Sequence, residues 1–212
     1  MATGDPNRKL IRDYAITIVL TVIVSLLIRY FVFEAYRIPT VAMRPTLEPG
    51  DTVFVSKWPL RPPTRGALIL YSPDEYEKRD YIKRVVGVAG DSVEISQAKL
   101  LINGQVVEPR LLSLGAGCGS ETLPGGFEHS ICMEPPSMTD VPKQTVPPES
   151  VFVLGDLRSG KQLDLSDRGK SWGLIPLTDV KGRVLWTWLS IDPASSGLFP
   201  KFRFDRMFRR AR

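Results

Sequence analysis

Hydrophobic residues are spaced along this chain in two distinct ways. From Ala15 to Ile28 they form one charge-free run, AITIVLTVIVSLLI, which Tyr30–Phe33 extends past Arg29. Ala15–Phe33 is 19 residues, about 28 Å as an α-helix at roughly 1.5 Å per residue. A bilayer core is about 30 Å thick, so the pattern predicts a transmembrane helix over 15–33. Arg29 lies near its end, where a long side chain can reach the headgroups, and Tyr14, Tyr30, Phe31 and Tyr36 flank the run like an interfacial belt. A cleaved signal peptide fits less well, because no small-x-small site follows. Arg8, Lys9 and Arg12 precede the run, so residues 1–14 are expected in the cytoplasm and 34–212 on the far side.

After residue 34 the hydrophobic positions fall into short groups rich in β-branched and aromatic residues. They predict strands over 52–56, 67–71, 81–88, 92–95, 100–102, 105–107, 150–154 and 182–189. Asn103-Gly104 between two apolar runs predicts a tight hairpin, since both residues tolerate positive φ. The interval 110–148 reads as a proline-rich loop insertion. The expected fold class is mostly β: one N-terminal transmembrane helix, then an antiparallel β-rich domain. Phe204, Met207, Phe208 and Ala211 fit a surface-seeking helix at i, i+3, i+4, i+7, with a last strand and a solvated basic end as the alternative.

Charge refines this picture slightly. The formal net charge is +5, and residues 201–212 hold six Arg/Lys against one Asp. A nucleic-acid coat would show a broad basic face rather than a tail, so no nucleic-acid partner is expected. Two cysteines and one histidine leave little for a metal site, since a closed zinc site takes four ligands. Cys118 and Cys132 are disulfide candidates in an oxidising compartment and free thiols in a reducing one.

The common nucleophile motifs are absent. A Ser-His-Asp arrangement would have to pass through His129, and a lone loop histidine is more often a solvated residue. Gly155–Lys161 fits part of a phosphate loop, but Gln162 replaces the hydroxyl that would meet magnesium. A lysine base is the remaining option, because burial disfavours the ammonium form. In Tyr-Ile-Lys-Arg-Val-Val, alternation puts Tyr81, Lys83 and Val85 on one face and Ile82, Arg84 and Val86 on the other. An exposed edge strand is the plain alternative.

Several ordered motifs resemble one family. Arg37-Ile-Pro-Thr-Val-Ala42-Met43-Arg-Pro45-Thr46, Arg65-Gly66-Ala-Leu-Ile-Leu-Tyr-Ser-Pro73, Arg79-Asp80-Tyr81-Ile82-Lys83-Arg84-Val-Val-Gly87 and Val-Phe-Val-Leu-Gly155-Asp156 are similar to boxes of the bacterial type I signal peptidases. These are membrane-bound endopeptidases that remove signal peptides by a Ser/Lys mechanism. The resemblance implies Lys83 as general base and Thr40 as an oxyanion-hole hydroxyl. It implies Met43, Ile82 and Tyr81 as substrate contacts, and Ser166 as a residue orienting the lysine. Asp156, Arg158, Asp167, Arg168 and Arg84 fall in structural roles. No cofactor or metal is implied. The partners are signal peptides of exported preproteins and the lipid bilayer, with the secretion machinery a further candidate. The implied place is the bacterial inner membrane, N-terminus in the cytoplasm.

The nucleophile position, however, holds Ala42, and a methyl group cannot attack a carbonyl. The last box is also altered, with Gly155-Asp156-Leu157-Arg158 followed at unusual distance by Ser166-Asp167-Arg168. Two readings stand: an inactive relative or knock-out of a signal peptidase, and a membrane protein that binds signal peptides or a partner without cutting. In an extended chain Thr40 would share a face with residue 42 but stand about 6–7 Å away, too far to replace the serine.

Overall fold

The computed structural model describes residues 6–31, 33–57, 62–72, 80–111, 117–135, 138–160, 172–195 and 201–211. Helix α1 spans Pro6–Phe31. The strands that follow are β1 (Phe33–Arg37), β2 (Asp51–Ser56), β3 (Leu68–Tyr71), β4 (Tyr81–Gly87), β5 (Ser92–Ser96), β6 (Lys99–Ile102), β7 (Gln105–Val107) and β8 (Arg110–Leu111). Then come β9 (Gly117–Leu123), β10 (Phe127–Met133), β11 (Val141–Thr145), β12 (Ser150–Leu154), β13 (Leu157–Arg158), β14 (Trp172–Pro176), β15 (Val180–Ser190) and β16 (Arg209–Arg210).

The strands form three sheets. The largest runs β1-β2-β15-β3-β4-β12-β14, with β16 on β15; the others run β13-β10-β9-β8 and β11-β5-β6-β7. All pairings are antiparallel except β10 with β13. The body is thus mostly β, and each strand expected from the pattern is present. The Asn103-Gly104 turn has φ of 54° and 77°, as a type I′ hairpin requires.

β4 lies between β3 and β12, so it is buried on both faces rather than exposed at an edge. On one face Ile82 joins Ile38, Met43, Leu47, Val53, Leu68 and Val184 in a core. On the other, Val85 packs with Ile69, Val151 and Val153. A third core lies where Val86, Phe152 and Leu154 meet the β5–β7 sheet.

Three expectations need correction. No helix among the described residues is long and apolar enough to cross a membrane. α1 spans 26 residues, but Lys9, Arg12 and Asp13 take up its early turns, and Phe33, counted in the expected span, already belongs to β1. Second, 110–148 is not mainly loop, because it carries β8 to β11. Pro124 and Pro148 sit in turns, and Pro142 sits in β11, which pairs on one side only, where a missing N–H is tolerated. Third, the tail forms no α-helix; Phe204–Arg206 is a single 3-10 turn before β16.

Candidate active site

The segment after β1 carries the nucleophile position. Residues 40–47 form bends and turns, closed by Arg44 N–H to Val41 O at 2.9 Å and Leu47 N–H to Met43 O at 2.9 Å. Thr40 and Ala42 are therefore not on one extended strand, and the spacing argument for that pair does not apply. Ala42 is 1% exposed and Thr40 is half-buried.

Lys83 reaches this turn from β4. It is 1% exposed, and its closeness to Ala42 is read from Gly155, the first residue after β12. A Cβ placed on Gly155 would lie 2.8 Å from Ala42 O and 3.7 Å from Lys83 Nζ. Lys83 Nζ and the Ala42 carbonyl thus flank the same point, and only a glycine leaves that point open. Leu157 N–H fixes the segment by donating to Ala42 O at 3.2 Å.

Beside this point lies a fully buried ion pair. Arg84 donates to Asp156 through Nε (2.7 Å) and Nη2 (2.6 Å), and its Nη1 donates to Gly66 O at 2.8 Å. The Thr46 hydroxyl, four residues past Ala42, donates to the same Asp156 carboxylate at 2.5 Å. The neighbouring residues of β4 therefore divide the work: Lys83 faces the turn, and Arg84 anchors the strand that follows it.

A second buried group backs this pair. His129 and Glu121 are directly opposite on β10 and β9, with His129 Nε2 3.2 Å from Glu121 Oε1 and 3.8 Å from Asp156 Oδ1. Arg158 binds Glu121 and donates to Gly155 O at 2.8 Å. Burial works against ionisation of Glu121, but Arg158 and His129 outweigh it and hold the carboxyl at about 2. His129 is thus not the solvated loop residue expected from its surroundings. Its Nδ1 is buried without a hydrogen-bond partner among the described residues.

Cys118 and Cys132 are joined across β9 and β10, directly opposite one another in the register. Cys132 N–H donates to Asp156 O at 3.0 Å, so the disulfide strand holds the Asp156 backbone.

The expected site residues do not all meet. Ala42, Lys83, Asp156, Arg158 and Arg84 converge around Gly155. Met43 and Ile82 share one apolar core, but Tyr81 lies on the opposite face, its ring 5.9 Å from Tyr71. Ser166, Asp167 and Arg168 lie outside the described residues. Thr46, Glu121 and His129 were missed. The last two were within reach of a hairpin reading, since Pro124-Gly125-Gly126 with two positive-φ glycines sits midway between the cysteines.

This arrangement agrees with comparison to known proteins. Residues 11–189 match the family model for signal peptidase, peptidase S26. A signal peptidase I from Leptolyngbya laminosa is 33% identical over 178 residues, covering 80% of this chain and 75% of its own. One from Pseudomonas aeruginosa is 31% identical over 212 residues, covering 84% and 72%. A solved signal peptidase I from Enterococcus faecalis V583 overlays 58% of this chain and 97% of its own at 21% identity, with a TM-score of 0.37, too loose to carry argument. The chain belongs to the signal peptidase I family.

Proposed function

We propose that this chain recognises signal peptides of exported preproteins at the membrane and does not cut them. Membership of the family supports the substrate class. Ala42 supports the second half: its carbonyl and Lys83 Nζ both lie beside the point a Cβ on Gly155 would take, and its own side chain is only a methyl. Covalent catalysis needs a nucleophile within hydrogen-bond reach of its base, and the methyl offers none.

In this reading Ile38, Met43 and Ile82 form the apolar wall that accepts the small residues before the would-be cut. Lys83 is the base that would serve a serine at position 42, and Thr40 the hydroxyl that would help bind an oxyanion. The body works on the extracytoplasmic side of the bacterial plasma membrane. Every residue of α1 from Lys9 to Leu26 is exposed, and lipid is the natural cover for its Ile, Leu and Val side chains.

The test uses the full chain in detergent with a preprotein and with its isolated signal peptide. The chain should bind both and release no mature protein. Ala42→Ser should gain cleavage, and Lys83→Met in the Ala42→Ser background should lose it again. Cleavage by the chain as it stands, or failure to bind any signal peptide, would overturn the reading.

A further inference from the structure

A cavity of about 1140 Å³ opens beside the turn that carries Ala42. Pro45 and Thr46, from the same turn as Ala42, form one wall, and Gly66–Leu68 and β15 form the floor. The β9–β10 hairpin and the C-terminal segment close the other sides. Leu68 and Val184 belong both to this floor and to the apolar core around Met43 and Ile82. The groove therefore borders that core without including Ile38, Met43 or Ile82 in its lining.

Its charge is one-sided. Arg183, Arg209 and Arg210 line it and have no carboxylate partner among the described residues, whereas Arg206 is taken up by Asp51 at 2.8 Å. The carboxylate lining it is Glu128, which accepts a hydrogen bond from Ser120 at 2.8 Å. Three unpaired guanidiniums along one groove favour an anionic occupant.

We infer that this groove binds the segment of the preprotein that follows the would-be cleavage point, and that it selects segments rich in Asp and Glu. The inference rests on the function proposed above and adds a subsite to it. Its size supports a peptide over a single phosphate, since small-molecule pockets hold roughly 300–1,000 Å³. Charge sets the direction of the chain as well. A signal peptide begins with a basic region, which these arginines repel, so the groove suits the opposite end of the sequence.

The experiment measures binding of fluorescent peptides to the full chain in uncharged detergent. Each peptide carries the same apolar stretch and Ala-x-Ala segment, followed by six residues that are acidic, neutral or basic. At low salt the acidic peptide should bind about tenfold more tightly than the neutral one, and the basic one more weakly still. The difference should shrink as salt rises. The double variant Arg183→Glu/Arg209→Glu should invert the order and favour the basic peptide, a result that misfolding cannot produce. Equal affinity for all three peptides would overturn the inference while leaving signal-peptide binding intact. Failure of every peptide to bind would instead overturn the function proposed above, and this subsite with it. Loss of the acidic preference on adding anionic vesicles, with vesicles bound through the same arginines, would assign the groove to lipid headgroups and also overturn it.

Discussion

The site is governed by what does not fit at single positions. A methyl at Gly155 would press within 2.8 Å of the Ala42 carbonyl, a backbone atom that cannot swing aside. Gly155→Ala should therefore shift the 40–47 turn and weaken signal-peptide binding by about tenfold or more, with stability reduced by about 1–3 kcal/mol; unchanged affinity would show that the turn has slack. Arg84 and Asp156 are both fully buried, and removing one partner of such a pair costs about 3–5 kcal/mol. Arg84→Met should lose that much in urea unfolding, and Arg84→Met/Asp156→Leu should lose clearly less than the two single changes added together. Additive losses would mean that the pair is not coupled. Glu121 supplies a pH signature. Its carboxyl is held at about 2 against an ordinary 4.5, so its contribution to stability is complete above about 4.5 and is lost as pH falls towards about 2. Glu121→Gln should flatten the decline of Tm across that interval, and parallel curves for the two proteins would rule out this role. At this scale much was legible: alternation separates Lys83 from Arg84. It does not say that both faces of β4 are covered, because that depends on neighbours far away in sequence.

At the scale of elements, the β9–β10 hairpin links the periphery to the site. It supplies Glu121 and His129, and through Cys132 it holds the Asp156 backbone. The disulfide closes a loop with a sequence separation of 14, a constraint worth up to about 3 kcal/mol in the chain-entropy account. Cys118→Ser/Cys132→Ser should lower stability by that order in denaturant titration and lower signal-peptide affinity alongside it. Unchanged affinity would separate the hairpin from the site. The hairpin was also the least legible element. Gly-Cys-Gly-Ser-Glu-Thr-Leu has Thr122 as its one β-branched residue and two glycines, so it does not read as a strand, and the hairpin's outer partners are β8 and β13, two-residue strands too short to show a period. β2 and β12 of the largest sheet were legible for the opposite reason: β2 alternates buried and half-buried residues along its length, and β12 is an unbroken apolar run after its first residue. The N-terminal helix was legible as a helix but not in its limits, since the apolar count runs on into β1, where Phe33 pairs with Ser56 instead of extending the helix.

For the molecule as a whole, the basic tail acts as an internal ligand rather than a loose end. Asp51, fully buried at the start of β2, receives Arg203 at 3.1 Å, Arg206 at 2.8 Å and the Ser190 hydroxyl at 2.7 Å. Arg203 also donates to Pro49 O at 2.8 Å, and Arg206 to Thr46 O at 3.3 Å. Truncation after residue 200 should leave Asp51 a buried, under-compensated charge and cost about 3–5 kcal/mol. In that truncated chain Asp51→Asn should recover part of the loss, and thermal unfolding of the three proteins checks both effects. If truncation leaves Tm unchanged, the tail is not what compensates Asp51.

These contacts also set an order of assembly. The turn that carries Ala42 and Thr46 is made well before the arginines that brace it, Arg206 coming 160 residues after Thr46. Contacts so far apart in sequence form late, because the whole intervening chain must be ordered first. A chain whose synthesis has not yet passed residue 206 therefore has its turn unbraced, and the turn is fixed only when Arg203 and Arg206 are free to fold back onto it.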